Sequence, residues 1–300
     1  MDTRELRKAL ERGRTGSDWV ESVARFFAEG DLTYGHGTDN PRDEAYWLIR
    51  AQQGWSGQAW TAPPDPSLIE GVIDLVRRRV AQRKPLAYLL GEAWFAGLRF
   101  RIDERVPVPR SPLAELIENR FSPWRRLQPG DRILDVGTGS GCLAIAVAYH
   151  CDGAIVDATD ISADALSIAR RNVREHGMEE RVRLIRTDLF AGSTGPYRII
   201  MANPPYVPSE RIEGLPAEYG HEPRTALDGG KSGLAVVDRL LAGAANRLAP
   251  DGLLIVEVGE AERAFRSRYP RLPATWLEFE RGGEGVFLLT HDELNGYLHA

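Results

Sequence analysis

The chain has 300 residues, of which 43% are hydrophobic and 27% are charged. This is the composition of a soluble globular protein, and the length suits one large domain and one smaller domain. The formal net charge is −5, whereas proteins that bind DNA or RNA usually carry a basic surplus. We therefore expect no direct nucleic-acid binding, and the charge is compatible with a basic protein partner.

The cysteines and the first residues predict the compartment. Cys142 and Cys151 lie near opposite ends of one predicted helix, so they are badly placed to bridge each other. No Cys-x-x-Cys spacing occurs, and we expect no metal site. Residues 1–14 are charged and lack the apolar run of a signal peptide, and no stretch is long enough to span a membrane. These features predict a cytoplasmic protein without membrane association.

A small helical domain is predicted over residues 1–85, because apolar side chains recur there at helical spacing. The segments with this spacing are 3–29, 45–51 and 68–83. Residues 58–66 are rich in proline and small residues and predict a surface turn.

A hairpin and a linker are predicted next, over residues 86–112. Aromatic and β-branched residues mix with polar ones over 92–106, which indicates two short strands. Pro107, Pro109 and Pro112 then predict an extended linker before the main domain, residues 113–300.

Strands and helices alternate along the main domain, which predicts an α/β fold with a parallel sheet covered on both faces. A hairpin around Gly282 and Gly283 closes the domain and is expected to add one antiparallel strand. The predicted strands are 132–136, 154–159, 182–186, 198–202, 253–258, 275–280 and 285–289, and the predicted helices are 142–149, 163–175 and 233–248.

A glycine-rich loop follows the first of these strands, where open α/β sheets bind ligands. The loop reads Gly-x-Gly-x-Gly after an aspartate, and not the Gly-x-Gly-x-x-Gly of dinucleotide-binding proteins. The alternative is a tight turn without a ligand. If the protein is a methyltransferase, the N–H groups of the next helix face the methionine carboxylate of S-adenosyl-L-methionine. The candidate cofactor-binding residues are Asp135, Gly137, Thr138, Gly139, Ser140 and Gly141.

Two further acidic residues end predicted strands and extend this site. Asp160 lies about 20 residues beyond the loop, where a ribose-binding carboxylate is expected. Its alternative role is an N-cap, but Ser162 is at least as good a cap. Asp188 is expected to meet the adenine amino group and Leu189 to cover the ring, with a turn cap as the alternative. Ile161 is included with Asp160 among the candidate cofactor-binding residues.

The fourth strand runs into Asn203-Pro204-Pro205-Tyr206, the candidate catalytic tetrapeptide. Two prolines cannot continue a central strand but hold the backbone rigid, so the alternative is a strand terminator. An amide nitrogen is a poor nucleophile. The side-chain oxygen of Asn203 and the carbonyl of Pro204 can accept its two hydrogens, and Tyr206 can stack on the planar amide.

With these residues the chain resembles the protein glutamine N5-methyltransferases, within them the branch that modifies large-subunit (50S) ribosomal protein uL3. The family is a Rossmann-like, seven-stranded class I methyltransferase sheet with an N-terminal helical domain. Segments that carry the resemblance are 135–142, Asp160, 203–207, 221–223, 229–230 and 257–259. Segments that indicate the branch are 34–41, 92–95, 108–112 and 275–279.

The resemblance implies the activity and its partners. Methyl transfer from S-adenosyl-L-methionine to a glutamine side-chain nitrogen leaves S-adenosyl-L-homocysteine, and the helical domain helps to select the protein substrate. Asn203 is expected to contact the cofactor as well as the glutamine. His36 is either a substrate contact or a structural residue. The basic residues at 77–79, with Arg83 and Lys84, predict a solvated helix face, with substrate docking as the alternative.

Other functions remain open on the sequence. The tetrapeptide also suits an adenine N6-methyltransferase that flips a base onto the tyrosine. Release factors are an alternative protein substrate, although that branch typically has an acidic residue and Thr where this chain has Ser111-Pro112-Leu113. A non-catalytic scaffold and a dinucleotide oxidoreductase are more distant alternatives. A scaffold has no use for both loops, and an oxidoreductase would need a different glycine spacing.

Overall fold

A computed structural model describes residues 2–55 and 61–300, so part of the turn predicted over 58–66 lies outside the described residues. The chain forms two compact units. The first contains the residues up to Ala93 together with Pro216–His221, and the second contains Trp94–Leu215 and Glu222–Ala300. The unit boundary thus lies within the segment expected to be hairpin and linker.

The first unit is helical, as predicted. Asp2 with Glu5 and Thr15 with Asp18 form capping boxes, and Asn40 caps the third helix, so polar residues satisfy the free N–H groups of these termini. The α-helices are α1 (Thr3–Arg12), α2 (Gly16–Ala28), α3 (Pro41–Gln53), α4 (Ile69–Gln82) and α5 (Leu86–Leu90), and 3₁₀ turns cover Pro66–Leu68 and Ala217–His221. The short α5, which the sequence did not predict, ends at Gly91 in the left-handed conformation.

A buried ion-pair cluster explains why Pro216–His221 belongs to this unit. The Arg79 guanidinium donates to Glu44 at 2.5 Å and to Glu218 at 3.2 Å, and all three side chains are buried. Arg83 also donates to Glu218, at 2.8 Å. The prediction of a solvated helix face is therefore wrong for Arg79, because two buried carboxylates compensate its charge.

His36 has a structural environment. It is 5% exposed, and its ring lies edge-on to Tyr219 with 4.7 Å between the ring centroids. Tyr219 lies in the same inserted segment as Glu218. This packing favours the structural reading of His36 over the substrate contact.

The second unit contains a seven-stranded sheet in the order β5-β4-β3-β6-β7-β9-β8. The pairs from β5 to β7 are parallel, β9 runs antiparallel to β7, and β8 pairs antiparallel with β9. This arrangement confirms the predicted α/β fold. The strands are β3 (Arg132–Val136), β4 (Ile155–Asp160), β5 (Val182–Arg186), β6 (Tyr197–Ala202), β7 (Leu248–Glu257), β8 (Thr275–Trp276) and β9 (Val286–Thr290); the hairpin β1 (Glu92–Phe95) and β2 (Leu98–Arg101) precedes them.

Helices cover the sheet in two groups. Helix α6 (Leu113–Glu118) packs on α7 (Cys142–His150), and α7 packs on α8 (Ala163–Glu175). Helices α7 and α8 also contact strands β4 and β5. Helices α10, α11 and α12 share an apolar core with β3, β6 and β7. The α-helices are α6 (Leu113–Glu118), α7 (Cys142–His150), α8 (Ala163–Glu175), α9 (Arg224–Leu227), α10 (Ala235–Ala244), α11 (Glu262–Arg268) and α12 (His291–Leu298), and 3₁₀ turns cover Ser209–Gly214, Ala245–Arg247 and Gly259–Ala261.

Helices α6, α9, α11 and α12 of the second unit were not predicted, and α12 follows the hairpin that was expected to close the domain. A further departure from the predicted elements is at β7. The strand begins at Leu248, where a helix was predicted to end, and not at Leu253. Its pairing with β6 shifts register between Tyr197 and Ile199, so an irregularity takes up Pro250 and its neighbours. A bulge of this kind tolerates a proline that a regular central strand excludes.

The sheet register brings three loops together. Val136 of β3 is aligned with Thr159 of β4 on one side and with Ala202 of β6 on the other. Because these strands are parallel, the residues that follow them lie at one edge of the sheet. Within the described parts of the chain, no helix is long and apolar enough to cross a membrane.

Candidate active site

A cavity of about 540 Å³ lies at this edge of the sheet. Its size falls within the range of small-molecule and cofactor sites, roughly 300–1,000 Å³. The predicted site residues in its lining are Gly137, Gly139, Asp160, Ile161, Asp188, Leu189, Asn203, Pro204 and Pro205. The predicted residues outside the lining are Asp135, Thr138, Ser140, Gly141 and Tyr206.

The glycine loop is fixed to β4 by its backbone. The N–H groups of Gly137 and Thr138 donate to the carbonyl of Thr159, at 2.8 and 2.9 Å. Gly137 has φ of +77°, and a Cβ atom built there meets no heavy atom within 4 Å. Since Gly137 lines the cavity, a side chain at this position enters space that a ligand would occupy.

Gly137→Ala is expected to weaken cofactor binding, by about tenfold or more, through its methyl group in the cavity. Gly177→Ala is the matched control, because Gly177 also has a positive φ, of +63°, with nothing within 4 Å, and does not line the cavity. Both variants carry a similar backbone strain of about 1 kcal/mol. Calorimetry with S-adenosyl-L-homocysteine separates them; equal affinities of the two variants would contradict this role for Gly137.

Asp135 lies behind the loop and supports it. The Thr138 hydroxyl donates to Asp135 Oδ2 at 2.5 Å, and both side chains are buried. Burial raises the pKa of Asp135 to about 7. The loop therefore rests on a fully buried carboxyl group that lies outside the cavity lining.

Asp160 joins the glycine loop to the start of α8. Its Oδ2 accepts the N–H of Gly139 at 2.9 Å, and its Oδ1 accepts the N–H of Ser162 at 2.8 Å. Ser162 is the N-cap, since its hydroxyl accepts the N–H of Ala165. Burial raises the pKa of the half-buried Asp160. Two carboxylate oxygens offer about four acceptor positions, so Asp160 retains capacity for ligand hydroxyls.

Two apolar residues, Ile161 and Leu189, also line the cavity. Ile161 is 63% exposed, although it is a large apolar residue, and it lines the cavity. Leu189 has φ of +54°, a conformation that non-glycine residues adopt rarely and that clusters at functional sites.

Asp188 is paired with Arg239 at 2.7 Å, and both line the cavity. Sequence reasoning missed Arg239, whose position on α10 has no distinguishing local pattern.

The tetrapeptide after β6 is held at both ends. The side-chain Nδ2 of Asn203 donates to the backbone carbonyl of Arg110 at 3.4 Å, which leaves Oδ1 as its acceptor atom. The Tyr206 hydroxyl donates to Oε1 of Glu257 at 3.3 Å. Glu257 ends β7 beside β6, since Val256 is aligned with Ala202.

Arg110 is itself fixed by a buried carboxylate. Its two terminal nitrogens donate to the two oxygens of Glu222 at 2.5 and 2.6 Å, and Glu222 Oε1 also accepts the N–H of Val108. A bidentate pair of this kind sets the orientation as well as the position of the arginine. The two partners are 112 residues apart, so no local pattern in the sequence predicts this pair.

Comparisons with known proteins show which family this chain resembles. A family model described as Methyltransferase small domain matches residues 120–214. The ribosomal protein uL3 glutamine methyltransferase of Neisseria meningitidis serogroup A is 43% identical, over 92% of this chain and 94% of that protein. The protein of the same name from Francisella tularensis is 41% identical, over 94% of this chain and 92% of that protein.

Among solved structures, the catalytic domain of hMettl16, in complex with a MAT2A 3'UTR hairpin, has a TM-score of 0.50 at 16% identity, over 73% of this chain and 79% of that chain. That likeness concerns the fold alone. The family resemblance seen in the sequence is confirmed by the curated relatives, and the oxidoreductase alternative is excluded. At 43% identity over 92% of its length, the chain belongs to the family of ribosomal protein uL3 glutamine methyltransferases.

Proposed function

We propose that this enzyme transfers a methyl group from S-adenosyl-L-methionine to the side-chain amide nitrogen, N5, of a glutamine in ribosomal protein uL3, and releases S-adenosyl-L-homocysteine. The observation that carries the proposal is the position of Asn203, Pro204 and Pro205 in the same cavity as Gly137 and Asp160. The printed names of the relatives supply the substrate. A ribosomal protein as substrate would place the reaction in the cytoplasm.

The cavity fits the proposed cofactor. Gly137 leaves open space beside the loop, and Asp160 in the same lining retains acceptor positions for ligand hydroxyls. We propose that Asp160 accepts the ribose hydroxyls and that Ile161 and Leu189 bound the adenine ring. Asp188 would meet the adenine amino group while it remains paired with Arg239. When bound, S-adenosyl-L-methionine supplies an electrophilic methyl group on a sulfonium.

The acceptor loop is proposed to orient the glutamine amide. Oδ1 of Asn203 and the carbonyl oxygen of Pro204 would accept the two amide hydrogens and favour positive charge on the nitrogen as it reacts. Their rigid spacing follows from the two prolines, which restrict the backbone. The N-methylated amide cation is a strong acid and loses its proton readily, so the proposal requires no strong base.

Asp160→Ala is expected to weaken cofactor binding about 10- to 100-fold, because hydrogen bonds to charged groups contribute about 1.5–3 kcal/mol. Asp152→Ala is the control, since Asp152 is exposed and does not line the cavity. Calorimetry with S-adenosyl-L-homocysteine gives the affinities, and a thermal melt checks the fold. If Asp160→Ala binds as tightly as the wild type, Asp160 acts only as a backbone acceptor.

Acceptor class is tested by offering the enzyme labelled S-adenosyl-L-methionine with purified uL3, and separately with an adenine-containing RNA oligonucleotide. We expect label on protein, recovered as N5-methylglutamine after digestion. Label on the RNA alone would instead sustain the adenine N6 alternative. Label on neither would sustain the scaffold alternative. The first unit is proposed to help select the protein substrate.

A further inference from the structure

The acceptor loop, residues 203–206, is held at its two ends by neighbouring residues of one segment. The carbonyl of Arg110 accepts Nδ2 of Asn203 at the start of the loop. The next residue, Ser111, donates from its hydroxyl to Oε2 of Glu257 at 2.5 Å. Oε1 of the same carboxyl group accepts the hydroxyl of Tyr206, at the end of the loop.

Each of these groups has a fixed orientation. The Ser111 oxygen accepts the N–H of Leu113, at the start of α6, so its proton is directed to Glu257. Glu257 is 4% exposed and lies at the end of a central strand. Gly259 packs against the Tyr206 ring so closely that a Cβ atom there would lie 2.7 Å from Cε2. The ring therefore has little freedom to leave the carboxyl group.

We propose that Ser111 and Glu257 are positioning residues for methyl transfer, and that together with the Arg110 carbonyl they form a two-point clamp on the acceptor loop. This inference rests on the proposed function of that loop. The two prolines make the loop backbone rigid, so the release of either end shifts the whole loop. The clamp thereby sets the positions of Asn203 Oδ1 and the Pro204 carbonyl relative to the reacting nitrogen.

The clamp depends on the charge state of Glu257. An ionised carboxylate accepts charge-assisted hydrogen bonds from both hydroxyls, whereas a protonated one donates from one oxygen and makes only neutral hydrogen bonds, which are about half as strong. The groups that face it are the Tyr206 and Ser111 hydroxyls and the Arg110 guanidinium. Burial raises the pKa of Glu257 to about 7, although these groups oppose the shift. The clamp should therefore be complete above neutral pH and weaken as the pH falls through about 7.

The first test is Ser111→Ala with uL3 as substrate. We expect kcat to fall about 10- to 100-fold, because small misplacements of reacting groups have effects of this size. The affinity for S-adenosyl-L-homocysteine should stay near the wild-type value, since the clamp does not touch the glycine loop, and the melting temperature should fall by only a few degrees, because one hydrogen bond to a buried carboxyl group is lost. Ser111→Thr keeps the hydroxyl and should restore most of kcat. Ser267→Ala is the control, because Ser267 is exposed and its hydroxyl donates to the carbonyl of Arg263 within α11.

The second test is the pH profile of Glu257→Gln. A neutral amide resembles the protonated acid, so this variant should show a low kcat that does not change near pH 7. The wild-type kcat should rise with pH in that range. An unchanged kcat in Ser111→Ala, or parallel losses of kcat, cofactor affinity and melting temperature, would overturn the positioning role.

A third readout needs no substrate. In the free protein, carbon-13 NMR should show the pKa of the Glu257 carboxyl rising in Ser111→Ala and in Tyr206→Phe, because each variant removes a donor to the carboxylate. Unchanged titration in both variants would overturn the clamp. If the titrations shift but the wild type does not methylate uL3, the proposed substrate fails while the clamp stands.

Discussion

Asn203→Ala is expected to lose turnover by about 10²- to 10³-fold, the usual effect of removing one group that stabilises charge in a transition state. The reason is that Asn203 Oδ1 is one of two acceptors proposed for the amide hydrogens. The affinity for S-adenosyl-L-homocysteine should change by less than about tenfold, because Gly137, Asp160 and Leu189 remain. Single-turnover transfer to uL3 measures the first effect, and calorimetry measures the second.

Asn119→Ala is the control for that variant. Asn119 is exposed at the end of α6 and does not line the cavity, so its turnover should match the wild type. If Asn203→Ala retained nearly normal turnover, the tetrapeptide would not orient the acceptor in the way proposed. If the variant lost cofactor affinity to the same extent as turnover, the main role of Asn203 would be to bind the cofactor.

Arg79→Leu is expected to destabilise the first unit by about 3–5 kcal/mol, the effect of leaving a buried charge without its partner. Glu44 is most affected. Glu218 keeps Arg83 as a donor, whereas among the described residues the side chain of Glu44 keeps the Thr38 hydroxyl, at 3.3 Å. Differential scanning calorimetry should show the transition of this unit lowered by several degrees or more. Arg77→Leu is the control, since Arg77 lies on the same helix with a 66% exposed side chain.

The pH dependence of that variant separates a lost charge partner from lost packing. Burial raises the pKa of Glu44 above its usual value of 4.5, and Arg79 opposes the shift. Without Arg79 the folded-state pKa rises further, so the folded state binds a proton that the unfolded state has released. The difference in unfolding free energy between the wild type and the variant should therefore be largest at neutral pH and become smaller as the pH falls toward 4.5. A loss of unfolding free energy that does not change with pH would show that Arg79 contributes through packing alone.

Much of the sheet follows from local patterns. Hydrophobic periodicity and capping residues predict the bounds of three elements: strand β3 (Arg132–Val136), helix α8 (Ala163–Glu175) and strand β5 (Val182–Arg186). The bounds of strand β7 are not predicted in this way, because its early start depends on an irregular pairing with β6 around Pro250. A proline in a local sequence predicts a break, and only the neighbouring strand shows that the pairing continues.

In the candidate site, too, some features follow from the sequence and others do not. Gly137, Asp160 and Asn203 each end or follow a predicted strand, so their meeting at one edge follows from parallel topology. Ser111 and Glu257 are 146 residues apart, and Arg79 and Glu218 are 139 residues apart. Contacts at that separation leave no local periodic signal. The choice of uL3 as substrate is likewise not a matter of spacing, since it rests on likeness to relatives.

The central claim is tested most directly by labelled-methyl transfer to purified uL3 and to a peptide-chain release factor, side by side. The enzyme should place label on a glutamine of uL3, recovered as N5-methylglutamine, and none on the release factor. Label on the release factor alone would contradict uL3 as the substrate, while the proposed chemistry would stand.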